Sequence, residues 1–349
     1  MSVSESSGAA LETVGSFIHK VEHMPQTVGL AWLLSSAIYT TYATNRFLEY
    51  EAPALSPRSN PSRKGLLSVP AHKFKAVTRP TLLTICRFGG SLLLGLVAHT
   101  DFCIMDRVKE TIRAAPAFFL PAVFLFTANF SNAISLHRIG ISLTYTSKCA
   151  IPLITAVLSL LIDGPKALPH GLALASLLPI ACGIAAASWH SPTFEGLGFA
   201  AAMLSATAQS ALNVSSKRAM LKAGIRGASS QRVMVAVGLL IAAIVTAVEI
   251  VTSGHKISDS NTEREGEPIG MYIMAVTAYH IEYVLSFMFV KLVSPVTYGA
   301  CDAVRRLSII LSGRAMFGGK PLTPLNIGGI GLALLGALCY SIATSATKS

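Results

Sequence analysis

Two adjacent arginines, Arg305 and Arg306, lie within the apolar stretch SPVTYGACDAVRRLSIILSG, which runs from Ser294 to Gly313. A cation at the middle of a bilayer costs at least about 2.5 to 3.5 kcal/mol on insertion scales, unless it faces water, a counter-ion or a ligand. Guanidinium groups bind phosphate oxygens in a bidentate manner, so a phosphate is a suitable ligand. The arginine pair therefore predicts a pathway for an anionic solute that carries phosphate.

A third cation, Lys148, lies well inside another apolar stretch, where its side chain is too deep to extend comfortably to either surface. Its segment, ISLTYTSKCAIPLITAVLSLLI from Ile141, echoes the segment that begins at Ser294, and both contain a Thr-Tyr pair near the helix start. On helices, Lys148 and Arg305 would occupy similar faces one turn apart. We therefore expect two repeated halves, each contributing a buried cation to a site near their interface.

Several neutral side chains could complete such a site. Asn129 and Asn132 are spaced so that both can face one cavity, where they would hydrogen-bond either a solute or a neighbouring helix. Both interpretations stay open. Aromatic and hydroxyl contacts could come from Tyr145, Tyr279 and Tyr298.

Carboxylates in the same stretches offer a competing interpretation, in which the cations are neutralised internally. Asp302 precedes both Arg305 and Arg306 at spacings where helical side chains meet, so it could satisfy one of them. Glu282 could pair with Arg87 or belong to the cavity. Even so, the three cations outnumber Asp302, and a net positive cluster would attract an anion.

The composition identifies an integral membrane protein. Of the 349 residues, 52% are hydrophobic and only 13% are charged, with a mean hydropathy of +0.57, whereas soluble domains carry roughly 25% charged residues. Apolar segments long enough to span a bilayer as helices recur along the chain. We predict an all-α fold of about ten transmembrane helices in two inverted five-helix repeats, with both termini on one side. The predicted spans are 28–46, 78–98, 114–134, 139–162, 168–189, 196–216, 231–252, 269–290, 297–313 and 325–345.

These spans predict a single transporter domain over 28–345, between a polar N-terminal tail and a short C-terminal tail. The proline-rich segment 50–77 is predicted to be a loop inserted between the first two helices. The predicted boundaries are 1–27, 28–162, 163–345 and 346–349.

Other function classes are disfavoured by what the sequence contains. The formal net charge is +11, but the basic residues lie mainly in short loops, which does not favour nucleic-acid binding. The cysteines are scattered singly, without metal-ligand spacing. Without HExxH, GxSxG or an acidic metal cluster, we expect neither a cofactor or metal nor an enzyme. Lysine and arginine are balanced between the two sets of loops, so orientation stays open, as does the oligomeric state.

The motifs resemble those of the triose-phosphate and nucleotide-sugar transporter branch of the drug/metabolite transporter superfamily. The most specific match is SPVTYGACDAVRRLSIILSG followed by PLTPLNIGGIGLALLGALCYSIA, supported by RPTLLTICRF, ISLTYTSKCAIP and SKRAM. The resemblance implies a ten-helix fold of two inverted halves and alternating-access exchange of a phosphorylated solute. It also implies that Lys148, Arg305 and Arg306 hold the phosphate.

The chain departs from the family pattern around the rest of the solute. The family has lysine at Arg305, histidine at Tyr145 and Tyr298, and asparagine at Asp302. The resemblance therefore implies that phosphate binding is retained, while the contacts expected to select the rest of the solute differ. Further departures from the plastid pattern lie at Asn129, Asn132, Leu212 and Glu282.

We therefore expect an antiporter of phosphorylated solutes that exchanges a sugar phosphate or related metabolite for a counter-anion such as phosphate. The alternatives are an antiporter of nucleotide sugars and nucleoside monophosphates, and a structural or regulatory membrane subunit. No plastid presequence is visible in residues 1–27, which favours the Golgi or endoplasmic reticulum. The plastid envelope is the second option.

Overall fold

A computed structural model describes the parts of the chain that carry the helices and one short strand pair. The described residues are 25–49, 68–69, 78–97, 104–163, 171–189, 191, 193–225, 228–253, 267–292, 295–318 and 321–346. Statements below concern these residues. Most of the predicted loop 50–77 and most of each predicted tail lie outside them.

The described chain is built from helices, which we label α1 to α10 in chain order. Each predicted span overlaps one of them. Helix α1 comprises Pro25–Leu34, a π-helical segment Ser35–Thr40 and Thr41–Glu49. The other helices are α2 (Arg79–Val97), α3 (104–139), α4 (141–163), α5 (Leu172–Ala175 and Leu177–Ser188), α6 (Gly196–Ala223), α7 (Ala228–Ser253), α8 (Ile269–Leu292), α9 (Pro295–Phe317) and α10 (Pro324–Ala346).

Gly140 separates α3 from α4 within the helical stretch Ile104–Ser147, because its φ of 74° and ψ of 178° are not helical. Such a positive φ is accessible to glycine at little cost. Ser135 and Thr144 share a hydrogen bond of 2.8 Å across this kink. The kink redirects the chain so that α4 can place Lys148 inside the bundle.

The helix packing has the pattern expected of two related halves. Helix α2 packs on α7, and α5 packs on α10. Contacts of α1 with α8 are matched by contacts of α6 with α3. The pattern of these contacts is unchanged when each helix of α1–α5 is replaced by its counterpart in α6–α10, α1 by α6 and so on. If each half crosses the membrane five times, as predicted, the second half has the opposite orientation to the first.

Two short strands join loops at one end of the bundle. Strand β1 (Ser68–Val69) pairs antiparallel with β2 (Glu267–Pro268), in the register Ser68 to Pro268 and Val69 to Glu267. We call this end the β side. At the same end, Glu249 near the end of α7 accepts a hydrogen bond of 3.0 Å from the backbone N–H of Thr78, which precedes α2.

The outer surface of the bundle is apolar, as expected for contact with lipid. On α7, for example, Leu240, Ile244, Val248 and Val251 form an exposed stripe. The prediction of an all-α membrane protein is confirmed. By length and hydropathy, three described stretches are sufficient to cross a membrane, namely Arg79–Val97, Ile104–Val157 and Ser229–Thr252. The number of helices that cross the membrane stays a prediction.

Candidate functional site

The arginine pair lies near the middle of α9, where both guanidinium groups meet Asp302. Arg305 donates to Asp302 Oδ1 from Nε at 3.0 Å and from Nη2 at 2.7 Å. Arg306 donates from Nη2 to Asp302 Oδ2. The spacings of three and four residues bring these side chains together on one helical face. One carboxylate therefore serves two arginines, where the sequence suggested that it could satisfy one.

A second carboxylate reaches this cluster from α8. Arg305 Nη1 donates to Glu282 Oε1 at 2.8 Å, and the Arg305 guanidinium carbon lies 4.9 Å from the centroid of the Trp32 ring. The partner of Glu282 is therefore Arg305, and the pairing with Arg87 that the sequence left open is not formed. With two arginines and two carboxylates, this part of the cluster has no net formal charge.

Lys148 is joined to the same cluster through its backbone. Pro152 has no N–H with which to make the helical hydrogen bond to the Lys148 carbonyl, and residues Lys148–Ala150 form a 3₁₀ turn. Arg306 Nη1 donates to that carbonyl oxygen. Because Pro152 leaves the Lys148 carbonyl without its helical donor, this oxygen can accept from Arg306 and so link α4 to α9.

The Lys148 ammonium makes no ion pair within the described part of the chain. Its Nζ lies 5.6 Å from the centroid of the Tyr145 ring, and the ion pairs of the cluster join Asp302 and Glu282 to the arginines. This ammonium is the positive charge that the cluster leaves uncompensated.

A small cleft lies beside Tyr145, on the β side of the cation cluster. It is formed by the β-side halves of α1, α3 and α4, whose helices position its walls. The lining residues are Thr41, Thr44, Asn45, Leu48, Leu136, Ile141 and Tyr145. Because Tyr145 contributes to the cleft and faces Lys148, it connects the two features.

Arg87 of α2 is a fourth cation next to this space. It is 5% exposed, donates from Nη2 to the Thr44 hydroxyl of the cleft, and lies with its guanidinium carbon 5.4 Å from the centroid of the Tyr279 ring. Its buried Nε has no hydrogen-bond partner in the described structure. No carboxylate forms an ion pair with it there.

The asparagines expected at the site differ in their bonding. Asn129 Nδ2 donates to the Leu125 carbonyl at 2.9 Å and to the Tyr283 hydroxyl at 3.3 Å. Asn132 Oδ1 is buried and has no partner among the described residues. Asn129 thus hydrogen-bonds a neighbouring helix, α8. Among the described residues nothing donates to Asn132 Oδ1, so this oxygen can accept from a ligand or an ordered water.

The tyrosines of the predicted site have different surroundings. Tyr145 lines the cleft, whereas Tyr279 is only 1% exposed and packs against Tyr283 with ring centroids 4.4 Å apart. Tyr279 therefore supports Arg87 from the core. The side chain of Tyr298 lies outside the described residues, so its predicted role is not addressed by the structure.

Sequence reasoning did not single out the polar face of α1. Thr41, Thr44, Asn45 and Leu48 follow a helical spacing that places them on one side. All four line the cleft. Polar residues at these intervals within an otherwise spanning helix were the signal that could have identified them. Trp32, which lies under Arg305, had no such signal because it belongs to the apolar part of the same helix.

The fold and the cluster together define a multi-span membrane protein with buried cations beside a cleft in the bundle. A family model described as "Triose-phosphate Transporter family" matches residues 71–341. The chain belongs to this family, which is a family of transporters and not of enzymes.

Curated relatives have names that agree with this family. The chain is 28% identical to "Phosphoenolpyruvate/phosphate translocator 1, chloroplastic" of Arabidopsis thaliana, covering 76% of this chain and 65% of the relative. It is 28% identical to "Triose phosphate/phosphate translocator, non-green plastid, chloroplastic" of Brassica oleracea var. botrytis, covering 76% and 66%. It is 30% identical to "Phosphoenolpyruvate/phosphate translocator 2, chloroplastic" of Arabidopsis thaliana, covering 61% and 56%. The match thus spans just under two thirds of the first two relatives.

Proposed function

We propose that this protein is an antiporter that exchanges phosphorylated solutes for phosphate by alternating access. The proposal is supported by membership of the family and by the names of the relatives, each of which is called a translocator of a phosphorylated solute and phosphate. The phosphate is held by Lys148, Arg305 and Arg306, while the rest of the solute lies toward the cleft beside Tyr145.

The observation that carries the proposal is the Lys148 ammonium, which has no ion-pair partner among the described residues. A buried cation without a counter-charge is costly, and here the nearby carboxylates are already hydrogen-bonded to arginines. An incoming phosphate would supply the missing negative charge and acceptor oxygens. The bond from Arg306 to the Lys148 carbonyl joins α4 and α9, so the same anion would contact both halves of the protein.

Exchange follows from this charge balance. An empty site would have to pass through the occluded state with Lys148 uncompensated and removed from water, at a cost of several kcal/mol. A bound anion lowers that cost, because its negative charge compensates Lys148 in the occluded state. Return of the empty carrier is therefore slow, and loaded carriers move in both directions.

The alternative function, a structural or regulatory subunit, would be favoured if carboxylates neutralised all the cations. Asp302 and Glu282 do compensate Arg305 and Arg306. They leave Lys148 and Arg87 without carboxylate partners in the described structure, so the site keeps two formal positive charges. That excess favours an anion carrier over a neutral structural cluster.

The first prediction is that purified protein in liposomes loaded with phosphate takes up labelled phosphate and sugar phosphates by exchange. Replacing Lys148 by Ala should reduce phosphate exchange by at least about tenfold, because a hydrogen bond to a charged group contributes about 1.5–3 kcal/mol. Lys109→Ala is the matched control, since Lys109 is exposed and lies 3.9 Å from Asp106 outside the site.

The outcome separates the possible functions. Liposomes loaded with UMP or GMP and offered nucleotide sugars test the alternative substrate class. If no solute pair gives accelerated uptake, the antiporter proposal is wrong. Undiminished exchange by a folded Lys148→Ala variant would instead exclude this phosphate site.

The membrane is proposed from the relatives. Their names contain the word "chloroplastic". This supports a location in the plastid envelope and gives no support to the Golgi or endoplasmic reticulum that the sequence favoured. A fluorescent fusion expressed in its own cell type, imaged with markers for these membranes, tests the assignment.

A further inference from the structure

The two carboxylates of the cation cluster hold different parts of the Arg305 guanidinium. Asp302 accepts from Nε at 3.0 Å and from Nη2 at 2.7 Å, so it occupies one edge of the group. Glu282 accepts from Nη1 at 2.8 Å, away from that edge. A phosphate binds a guanidinium through neighbouring N–H groups. Because Asp302 already holds the Nε edge, an incoming phosphate and Glu282 compete for Nη1.

The two carboxylates also differ in how firmly the fold keeps them on Arg305. Asp302 precedes Arg305 by three residues on α9, so the helix itself holds this pair together. Glu282 belongs to α8, and the described parts of α8 and α9 approach each other at few positions. The pair of Glu282 with Arg305 therefore depends on the relative position of two helices and can separate while both helices stay folded.

Arg305 keeps its position when Glu282 leaves, because other groups hold its guanidinium. Its central carbon lies 4.9 Å from the centroid of the buried Trp32 ring, and Asp302 holds its Nε edge. The neighbouring Arg306 is bound on both sides, since it donates to Asp302 and to a backbone carbonyl of α4. Arg305 is thus the arginine of the pair that can exchange a carboxylate for a ligand.

Charge balance gives this exchange a role in the transport cycle. With Glu282 in place, Lys148 is the cation of the cluster that lacks a carboxylate partner in the described structure. Without Glu282, Asp302 alone would face both arginines, and the empty site would contain one more uncompensated positive charge. Such a charge is strongly unfavourable away from water. Glu282 therefore stabilises the empty site, whereas a bound phosphate can supply the same compensation.

We propose that Glu282 is a tethered counter-anion, which neutralises Arg305 while the carrier is empty and is displaced by the transported phosphate. This inference rests on the proposed phosphate exchange and adds a residue that sets the balance between exchange and net transport. Two effects follow from it. Competition by Glu282 weakens phosphate binding, and its negative charge eases the return of the empty carrier.

The first test measures phosphate binding after the charge of Glu282 is removed. Glu282→Gln keeps the size of the side chain and an acceptor oxygen. We expect the purified variant to bind inorganic phosphate with a Kd about tenfold lower than the wild type, measured by isothermal titration calorimetry. The reason is that a hydrogen bond to a charged group is stronger than a neutral one, so the phosphate displaces a weaker competitor.

The second test compares net uptake with exchange. Labelled phosphate is offered to liposomes with or without internal phosphate, while potassium and valinomycin fix the membrane potential. We expect the ratio of net uptake to exchange to fall by at least about threefold in Glu282→Gln, since the empty carrier has lost a compensating charge. Glu195→Gln is the matched control, because Glu195 is partly exposed and pairs with Arg138 just before α6.

Glu282→Asp provides a second variant, which keeps the charge but shortens the side chain by one methylene group. Its weaker hold on Arg305 should give a phosphate affinity between those of the wild type and Glu282→Gln. If Glu282→Gln does not fold, Glu282→Asp decides the question. Unchanged or weaker phosphate binding by the deciding variant overturns the assignment. Loss of folding by both variants would make Glu282 a structural residue and overturn it as well.

The two measurements separate the parts of this inference from the proposed function. Tighter phosphate binding with an unchanged ratio of net uptake to exchange would overturn the role of Glu282 in the return of the empty carrier. Wild-type exchange without any gain in affinity in the variants would overturn the counter-anion alone. Absence of phosphate exchange by the wild type would overturn the antiport on which the inference rests.

Discussion

Asp302 is the residue on which the arrangement of the arginine pair depends. Its two oxygens accept hydrogen bonds from Arg305 and Arg306, and its side chain is 16% exposed. Breaking a largely buried ion pair by removing one partner is strongly destabilising, because the remaining charge is uncompensated. The carboxylate therefore positions the cations and limits the excess charge that a ligand must balance.

We predict that Asp302→Asn lowers the stability of the detergent-solubilised protein by about 3 kcal/mol, seen as a fall in the thermal unfolding temperature. Phosphate should stabilise this variant more than the wild type, since it supplies the missing negative charge; ligand at about 100 times its Kd adds about 2.7 kcal/mol. Asp106→Asn is the control, because Asp106 is exposed and pairs with Lys109 at 3.9 Å. Equal melting of Asp302→Asn and wild type would contradict this role.

At the scale of elements, α5 and α10 approach more closely than side chains would permit. A Cβ atom on Gly183 would lie 2.4 Å from the backbone nitrogen of Ala333, and one on Gly329 would lie 2.4 Å from that of Ala187. Asn326, at the start of α10, donates to the carbonyls of Ala187 and Trp189 at the end of α5. Backbone contact of this kind is typical of small residues at membrane helix interfaces.

We predict that Gly183→Ala or Gly329→Ala destabilises the protein by about 1–3 kcal/mol, because backbone cannot move aside as a flexible side chain can. Thermal unfolding in detergent measures the change. Gly331→Ala is the matched control on the same helix, since a Cβ there meets nothing within 4 Å. A loss of stability at Gly331 as large as at Gly183 would mean that helix propensity, and not close packing, controls the interface.

For the whole molecule, the cleft and the strand pair lie at the same end of the bundle. Thr41, Thr44 and Asn45 belong to the β-side part of α1, which ends at Glu49. The β side is also where the loops containing residues 68–69 and 267–268 meet. The structure therefore has its cleft on the β side, and alternating access requires the opposite end of the bundle to open in its turn.

We predict that Ile141→Cys, at a half-buried position that lines the cleft, is labelled by a membrane-impermeant maleimide added from the β side, and that saturating phosphate slows the labelling. The anion would occupy the cleft or favour an occluded state. Thr252→Cys, at the exposed β-side end of α7, controls for general access, and labelling of the parent chain is subtracted. Phosphate protection equal at both positions would refute a link between the cleft and the transport path.

Much of the site could be predicted because its cations lie at fixed spacings within single helices. Helical periodicity brings Asp302 within reach of both arginines, although the sequence analysis expected it to satisfy only one of them. The unusual position of Lys148 follows from its place within an apolar segment. The partner of Glu282 could not be predicted in the same way, since Arg87 and Arg305 lie on different helices. Only the packing of α8 against α2 and α9 decides between them.

The sequence by itself determined the membrane class, the helical segments and the identity of the buried cations, because hydropathy and helical spacing are local properties of a chain. Tertiary structure alone decided which charges are compensated. It paired Glu282 with Arg305 and left Lys148 and Arg87 without carboxylate partners in the described structure. It also placed Asn45 beside a cleft. The physical reason is that charge balance depends on distances between helices, which no spacing within one helix can specify.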